Sequence, residues 1–240
     1  METLQEVRKY WYNFYRACDD MGLYQFADDL PEKILIIGEN LDLFRKKYEE
    51  GFQKIILLPS VEIQKRYLFK LLYESTSKIS KNFTKEQHLQ EYTGFKADGW
   101  FSNFFPNEIE ILDRPRPPYL LLVKDNQFGE TIPDVHNNNK LREWLNKRKE
   151  TGFTLPEYLI FQREYAKCHH GEGKHLDEDK EISILNSQTP YISFEDHSGH
   201  WVIDVKWNKV SQKLSLGCGS DLKWFYRSAV VIPLTLDFLE

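Results

Sequence analysis

The chain has 240 residues, 41% of them hydrophobic and 15% aromatic, enough to bury one full core or two smaller ones, so two domains is the expected count. Its 37 acidic residues against 32 basic ones leave a net charge of -5, which disfavours a general electrostatic grip on nucleic acid or anionic lipid. Cys18, Cys168 and Cys218 are odd in number and widely spaced, so no disulfide framework is expected; no apolar run approaches a membrane span and the N-terminus lacks a signal-peptide core. A reducing, cytoplasmic compartment is the expected location.

Leu4, Val7, Trp11, Phe14 and Cys18 recur at helical spacing and predict an amphipathic helix at the start of the chain. "KILIIG" (33–38) reads as a buried strand, "ENLDLFRKKYEEG" as a helix closed by Gly51, and "KIILLP" (54–59) as a second buried strand. Strand, helix and strand in such short order predict a βαβ unit with a parallel sheet. Gly38 follows the first strand, but neither G-x-G-x-x-G nor G-x-x-x-x-G-K-[ST] is present, so a structural βα turn is expected there rather than a nucleotide site. Ile63, Tyr67, Leu68, Leu71 and Leu72 put an apolar stripe on a further helix over 61–80. "DRPRPP" (113–118) can continue neither a helix nor a central strand and sets the expected boundary between a domain over 1–112 and one over 113–240.

Past that boundary "YLLLV" (119–123) reads as a strand, followed by a polar loop containing "HNNN", a helix over "KLREWLNKRKE", and a helix starting near Pro156. From Glu181 the pattern changes to short strands, "EISIL", "YISF", "HWVIDVKW", "KLSLG" and "SAVVIPL", expected to run antiparallel. The fold class is therefore α+β.

"CHHGEGKH" (168–175) packs a thiol and three imidazoles into one segment. His170 and His175 meet the H-x(3–5)-H half of a zinc pattern with Cys168 as a third ligand, yet no C-x-x-C supplies the other half. Gly171 and Gly173 point instead to a turn at the end of a helix. Cys218 in "GCGS" has the Cys-Gly-Ser order of a papain-type nucleophile, but every histidine lies upstream of it, the wrong order for papain. A thiol–imidazole pair of Cys218 with His197 or His200 stays open as an enzymatic alternative. The acidic run Asp177, Glu178 and Asp179 is expected to be a solvated turn.

Gly152, Phe153, Leu155, Pro156, Glu164, Tyr165 and Ala166 in "GFTLPEYLIFQREYA", together with Arg227 and Ser228 before the closing "AVVIPL", resemble the C-type-lectin-like fold of the formylglycine-generating-enzyme type. Over about residues 118–240 the chain is similar to uncharacterised candidate-phylum bacterial proteins and to the variable proteins of diversity-generating retroelements. The resemblance implies a binding domain whose surface codons are rewritten by a reverse transcriptase. "KWNK" (206–209) lacks the Trp-Asn-Asp order of calcium-dependent lectins and the paired cysteines of the oxidising enzymes are not evident, so neither calcium-mediated sugar binding nor oxidase activity is implied.

In "KWFY" successive side chains alternate faces, so Trp224, Phe225 and Tyr226 cannot all enter one core. With Ser220, Asp221 and Lys223 beside them, and Trp207, Asn208, Ser211 and Lys213 from the neighbouring hairpin, they form the expected ligand-binding surface. The expected function is recognition of an unidentified protein or small-molecule ligand, without catalytic residues, cofactor or obligatory metal. The alternative is a Cys/His or zinc-dependent enzyme centred on Cys218 or the 168–175 segment.

Overall fold

The computed structural model describes residues 25–27, 39–58, 109–115, 119–133, 137–169, 172–192, 198–210, 213–219, 222–223 and 225–233, together with Val61 and Gln64. In chain order the elements are β1 (Gln25–Ala27), α1 (Glu39–Glu49), β2 (Lys54–Leu58), β3 (Glu110–Ile111), β4 (Tyr119–Val123), β5 (Glu130–Thr131), α2 (Asn138–Lys147), β6 (Thr151–Gly152), α3 (Leu155–Cys168), β7 (Ile182–Ile192), β8 (Ser198–Asn208), β9 (Lys213–Gly219), β10 (Phe225–Tyr226) and β11 (Ser228–Pro233). The fold is α+β. The N-terminal helix, the strand over 33–38 and most of the 61–80 helix lie outside the described residues.

The chain divides into two compact units, and the division is interleaved along the sequence. One gathers β1, α1, β2 and β4, and takes back the chain's last strand, β11, from Ala229; the other gathers β3, β5 to β10, α2 and α3. A single cut at residue 113 therefore does not describe it: the "YLLLV" strand pairs with β2 and the closing strand pairs with "YLLLV", so both group with β2.

In the first unit the order is β1-β2-β4-β11, and every pairing is antiparallel. The parallel sheet expected of a βαβ unit is thus not what holds "KIILL": β1 and β4 take its two edges, both antiparallel. β4 sits between β2 and β11 with all five residues fully buried, which suits an uninterrupted run of Tyr119, Leu120, Leu121, Leu122 and Val123. The one polar atom this run carries inward, the Tyr119 hydroxyl, is paired with buried Gln64 at 2.9 Å. α1 ends where Gly51 takes φ 97°, a left-handed conformation that glycine adopts at no cost.

In the second unit the main sheet runs β5-β10-β7-β8-β9, with β3 pairing the far part of β7. β7, β8 and β9 form an antiparallel meander, and β10 lies parallel to β7 and antiparallel to β5. Alternation explains its faces: Ile182, Ile184, Ile203, Val205, Trp207, Leu214 and Leu216 are buried on one side, while Asp204 and Lys206 stand on the other.

Two helices precede the meander, as the sequence predicts. α2 begins two residues before the expected start, because Asn137 caps it by accepting from the Lys140 amide at 2.9 Å. α3 opens on a reciprocal capping box: the Thr154 amide donates to Glu157 Oε2 at 2.7 Å and the Glu157 amide to Thr154 Oγ1 at 3.4 Å. Leu155 to Phe161 are then all buried, the capping Glu157 included, so the first two turns of α3 are enclosed on every side. Tyr226, Leu141, Leu145 and Leu185 form a second cluster under α2, with the Trp144 ring edge-on to Tyr226 at 6.3 Å.

Candidate functional site

Lys223, two residues before β10, lies over the polar face of the meander. Its amide donates to the buried hydroxyl of Ser183 at 2.8 Å, which fixes its backbone on β7. From there the Lys223 ammonium reaches Glu181 at 3.5 Å and Asp204 at 3.8 Å, and Lys206 reaches Glu181 at 3.5 Å. Ser183, Asp204 and Gly217 are aligned across the three strands in register. Gly217 is there for a steric reason: a Cβ at that position would lie 2.6 Å from Asp204 Oδ1, so only glycine lets the carboxylate lie flat across β9.

Asp204 is the electrostatically unusual member of this group. Burial pushes its carboxyl up to about 6, Lys223 and Lys206 pull it down, and Glu181 adds to the rise. A carboxyl that titrates near neutrality on a surface with two lysines and a second carboxylate offers donors, acceptors and a proton in one patch. The patch is balanced in formal charge, so it suits a polar ligand that exchanges hydrogen bonds with it.

The expected binding residues fall into three groups. Lys223 belongs to the polar face, Asn208 is half-buried at the end of β8, and Phe225 is half-buried in β10. Trp207 and Tyr226 are corrections: they are 2% and 1% exposed and belong to the cores. Trp207 lies on the same face of β8 as Ile203 and Val205, and the His175 ring stacks on it at 3.8 Å with a 14° tilt. Tyr226 points under α2, and its hydroxyl, raised by burial and then by the Glu130 charge, donates to Glu130 at 3.1 Å. Ser211, Ser220, Asp221 and Trp224 lie outside the described residues, as does the side chain of Lys213.

α3 ends at Cys168, and beyond it the Glu172 amide donates to the His169 carbonyl at 2.9 Å. Cys168 is exposed, His169 lies against the Tyr165 ring at 4.2 Å, Lys174 pairs with Glu172, and Gly173 takes φ 62°. Burial lowers the His175 imidazole. Among the described residues no three His, Cys, Asp or Glu side chains converge as a metal site would require; His170 lies outside them. In the enzymatic alternative, position 218 is opposite Ile203 in the β8–β9 register, while His197 lies outside the described residues.

Asp177, expected in a solvated turn, is fully buried. Its carboxylate accepts from Arg227 Nε at 2.7 Å and Nη2 at 3.0 Å, from the Gly129 amide at 2.7 Å, and from the Tyr158 hydroxyl at 3.1 Å. Arg227 Nη2 also donates to the carbonyls of Gln127 at 2.6 Å and Asn126 at 3.0 Å. Burial first, and then the Asp177 charge, raise the Tyr158 phenol well above its ordinary value, so it stays a donor. This cluster ties the loop before β5, the turn after α3, α3 itself and the residue between β10 and β11 together. Chain comparison against protein-family models, curated proteins and solved structures gives no match.

Proposed function

We propose that this protein is a binding module that recognises a polar ligand on the face formed by Ser183, Asp204, Lys206, Gly217 and Lys223 and on the adjoining 220–226 segment. The observation that carries the reading is the anchoring of Lys223: its main-chain bond to Ser183 and its ion pairs with Glu181 and Asp204 hold it in place before any ligand arrives. Pre-organisation of this kind reduces the ordering cost of binding. The half-buried Phe225 next to it adds rigid apolar area.

The C-type-lectin-like reading is supported by chain order. The resemblance implies two helices and short antiparallel strands, and here α2 and α3 are followed by the antiparallel meander of β7, β8 and β9. On this reading the ligand is a protein or a small molecule, bound without a metal, and the surface codons are those a retroelement would diversify.

The test is a printed glycan array and a printed peptide array, each probed with the purified chain and with its Lys223→Ala and Asp204→Asn variants. Saturable binding to a class of printed features, lost in both variants, is the expected result. No saturable binding on either array, or binding that both variants retain, overturns the proposal.

A further inference from the structure

Lys180 stands in an unusual place for an ammonium group. Its Nζ lies 4.4 Å from the centroid of the Phe128 ring and 4.6 Å from that of Phe225, and no carboxylate among the described residues pairs with it. Phe128 is one of the few large apolar side chains left exposed, at 40%. Both rings are held from behind. Phe225 is paired with Thr131 and Ile182 in β10, and Phe128 sits in the loop that Arg227 and Asp177 grip through Gln127 and Gly129.

The base of Lys180 is fixed as well. Its amide donates to the Asp177 carbonyl at 3.1 Å, and the preceding Asp179 takes φ 57° while its amide donates to the Trp207 carbonyl at 2.7 Å. A left-handed conformation at a non-glycine residue is uncommon, and here it aims the next side chain at the rings. An ammonium over two phenyl rings exchanges part of its hydration for the attraction of the ring quadrupoles. A quaternary ammonium has less hydration to give up and fills the gap between two rings more completely.

We infer that Phe128 and Phe225 form a two-ring clamp for the quaternary ammonium group of a ligand, and that the chain's own Lys180 occupies the clamp until such a ligand displaces it. A tethered lysine competes at a high effective concentration, on the order of millimolar, so a free primary ammonium gains nothing by replacing it. The methylated cation is the one that wins. The clamp shares the 220–226 segment with the proposed polar face but does not use Asp204, so each can fail without the other.

The test follows the Phe128 and Phe225 amide resonances while tetramethylammonium chloride is added, with sodium chloride at equal ionic strength as the blank. If Lys180 fills the clamp about nine-tenths of the time, its removal in Lys180→Ala tightens tetramethylammonium binding about tenfold relative to the parent chain. Lys180→Gln, which keeps most of the stem, shows the same direction, and the melting temperature of each variant establishes that it is folded. Adding Phe225→Leu to Lys180→Ala removes the saturable shift. Folded Lys180→Ala and Lys180→Gln that show no saturable shift beyond the sodium chloride blank overturn the inference, as does a shift that survives Phe225→Leu. Asp204→Asn leaves the clamp titration unchanged, which separates this result from the array experiment.

Discussion

Replacing Arg227 by methionine isolates the contribution of the buried cluster. The substitution keeps an apolar stem of similar length against the Phe161 ring, over which the guanidinium now lies at 5.4 Å, and removes only the charge and its donors. Asp177 then keeps the Gly129 amide and the Tyr158 hydroxyl but loses both guanidinium bonds, and the Asn126 and Gln127 carbonyls lose theirs. Leaving one partner of a buried ion pair uncompensated costs about 3–5 kcal/mol. That is a large share of the roughly 5–15 kcal/mol a domain has in hand. Urea unfolding followed by near-ultraviolet circular dichroism measures the loss. Because Asp177→Asn removes the stranded charge, the Asp177→Asn/Arg227→Met double variant should be more stable than the sum of the single losses predicts, with a coupling of about 2 kcal/mol or more. If Arg227→Met unfolds too completely to show a transition, Arg227→Lys retains the charge but not the side-on geometry and falls between the two. A loss under about 1 kcal/mol for Arg227→Met, with additive single variants, would refute the claim that this pair fastens the unit.

Asp204 gives a pH dependence of unusual sign for a carboxylate. Its folded-state value, about 6, is above its unfolded one, so the native state binds the proton more tightly and gains stability from it at pH 4 and below. That contribution, at most about 3 kcal/mol for a rise of this size, is lost as pH climbs through 6. Asp204→Asn should therefore match the parent chain at pH 4 and exceed it at pH 8 in urea midpoint; an equal deficit at both would contradict the cause assigned. Gly129→Ala puts a Cβ 2.6 Å from the Tyr226 carbonyl oxygen and 2.8 Å from Ile182 Cδ1, and should lower stability by about 1–3 kcal/mol in the same assay. Val210 at the β8–β9 turn is 94% exposed, so Val210→Asp should shift stability by less than about 0.5 kcal/mol and raise solubility.

Local pattern carried much of this fold into the sequence. The two helices of the second unit and the meander after Glu181 are legible because apolar periodicity and breaker residues mark them, and the Thr154-to-Glu157 capping box was there to be read as well. Trp207 could also have been placed: it continues the i, i+2, i+4 row of Ile203 and Val205, which puts it on their buried face rather than on a recognition surface. In "KWFY" Tyr226 turns inward and Phe225 remains half-exposed, as the alternation of an extended chain requires.

Other features rest on partners far away in the chain. Asp177 sits in a run of acids that looks solvated, and nothing local announces Arg227, 50 residues later, as the group that draws it in. The sheet around β2 is equally remote, because its antiparallel partner β4 follows after a long intervening stretch and β11, which pairs with β4, is the last strand of all. A local strand–helix–strand pattern cannot reveal that the edges of β2 are taken from elsewhere. Lys180 between two rings is a three-way meeting of the loop before β5, the turn before β7, and β10, and no spacing rule encodes it.

Sequencing the gene and its flanks across a natural population tests the recognition account most directly, because burial now divides codons 207–226 into two classes. The account predicts a near-copy of this stretch beside a reverse transcriptase, with adenine-directed substitutions at Asn208, Lys223 and Phe225 and none at the buried Trp207, Leu214, Leu216 and Tyr226. Substitutions spread without regard to burial, or a stretch that does not vary and has no near-copy beside it, would contradict it.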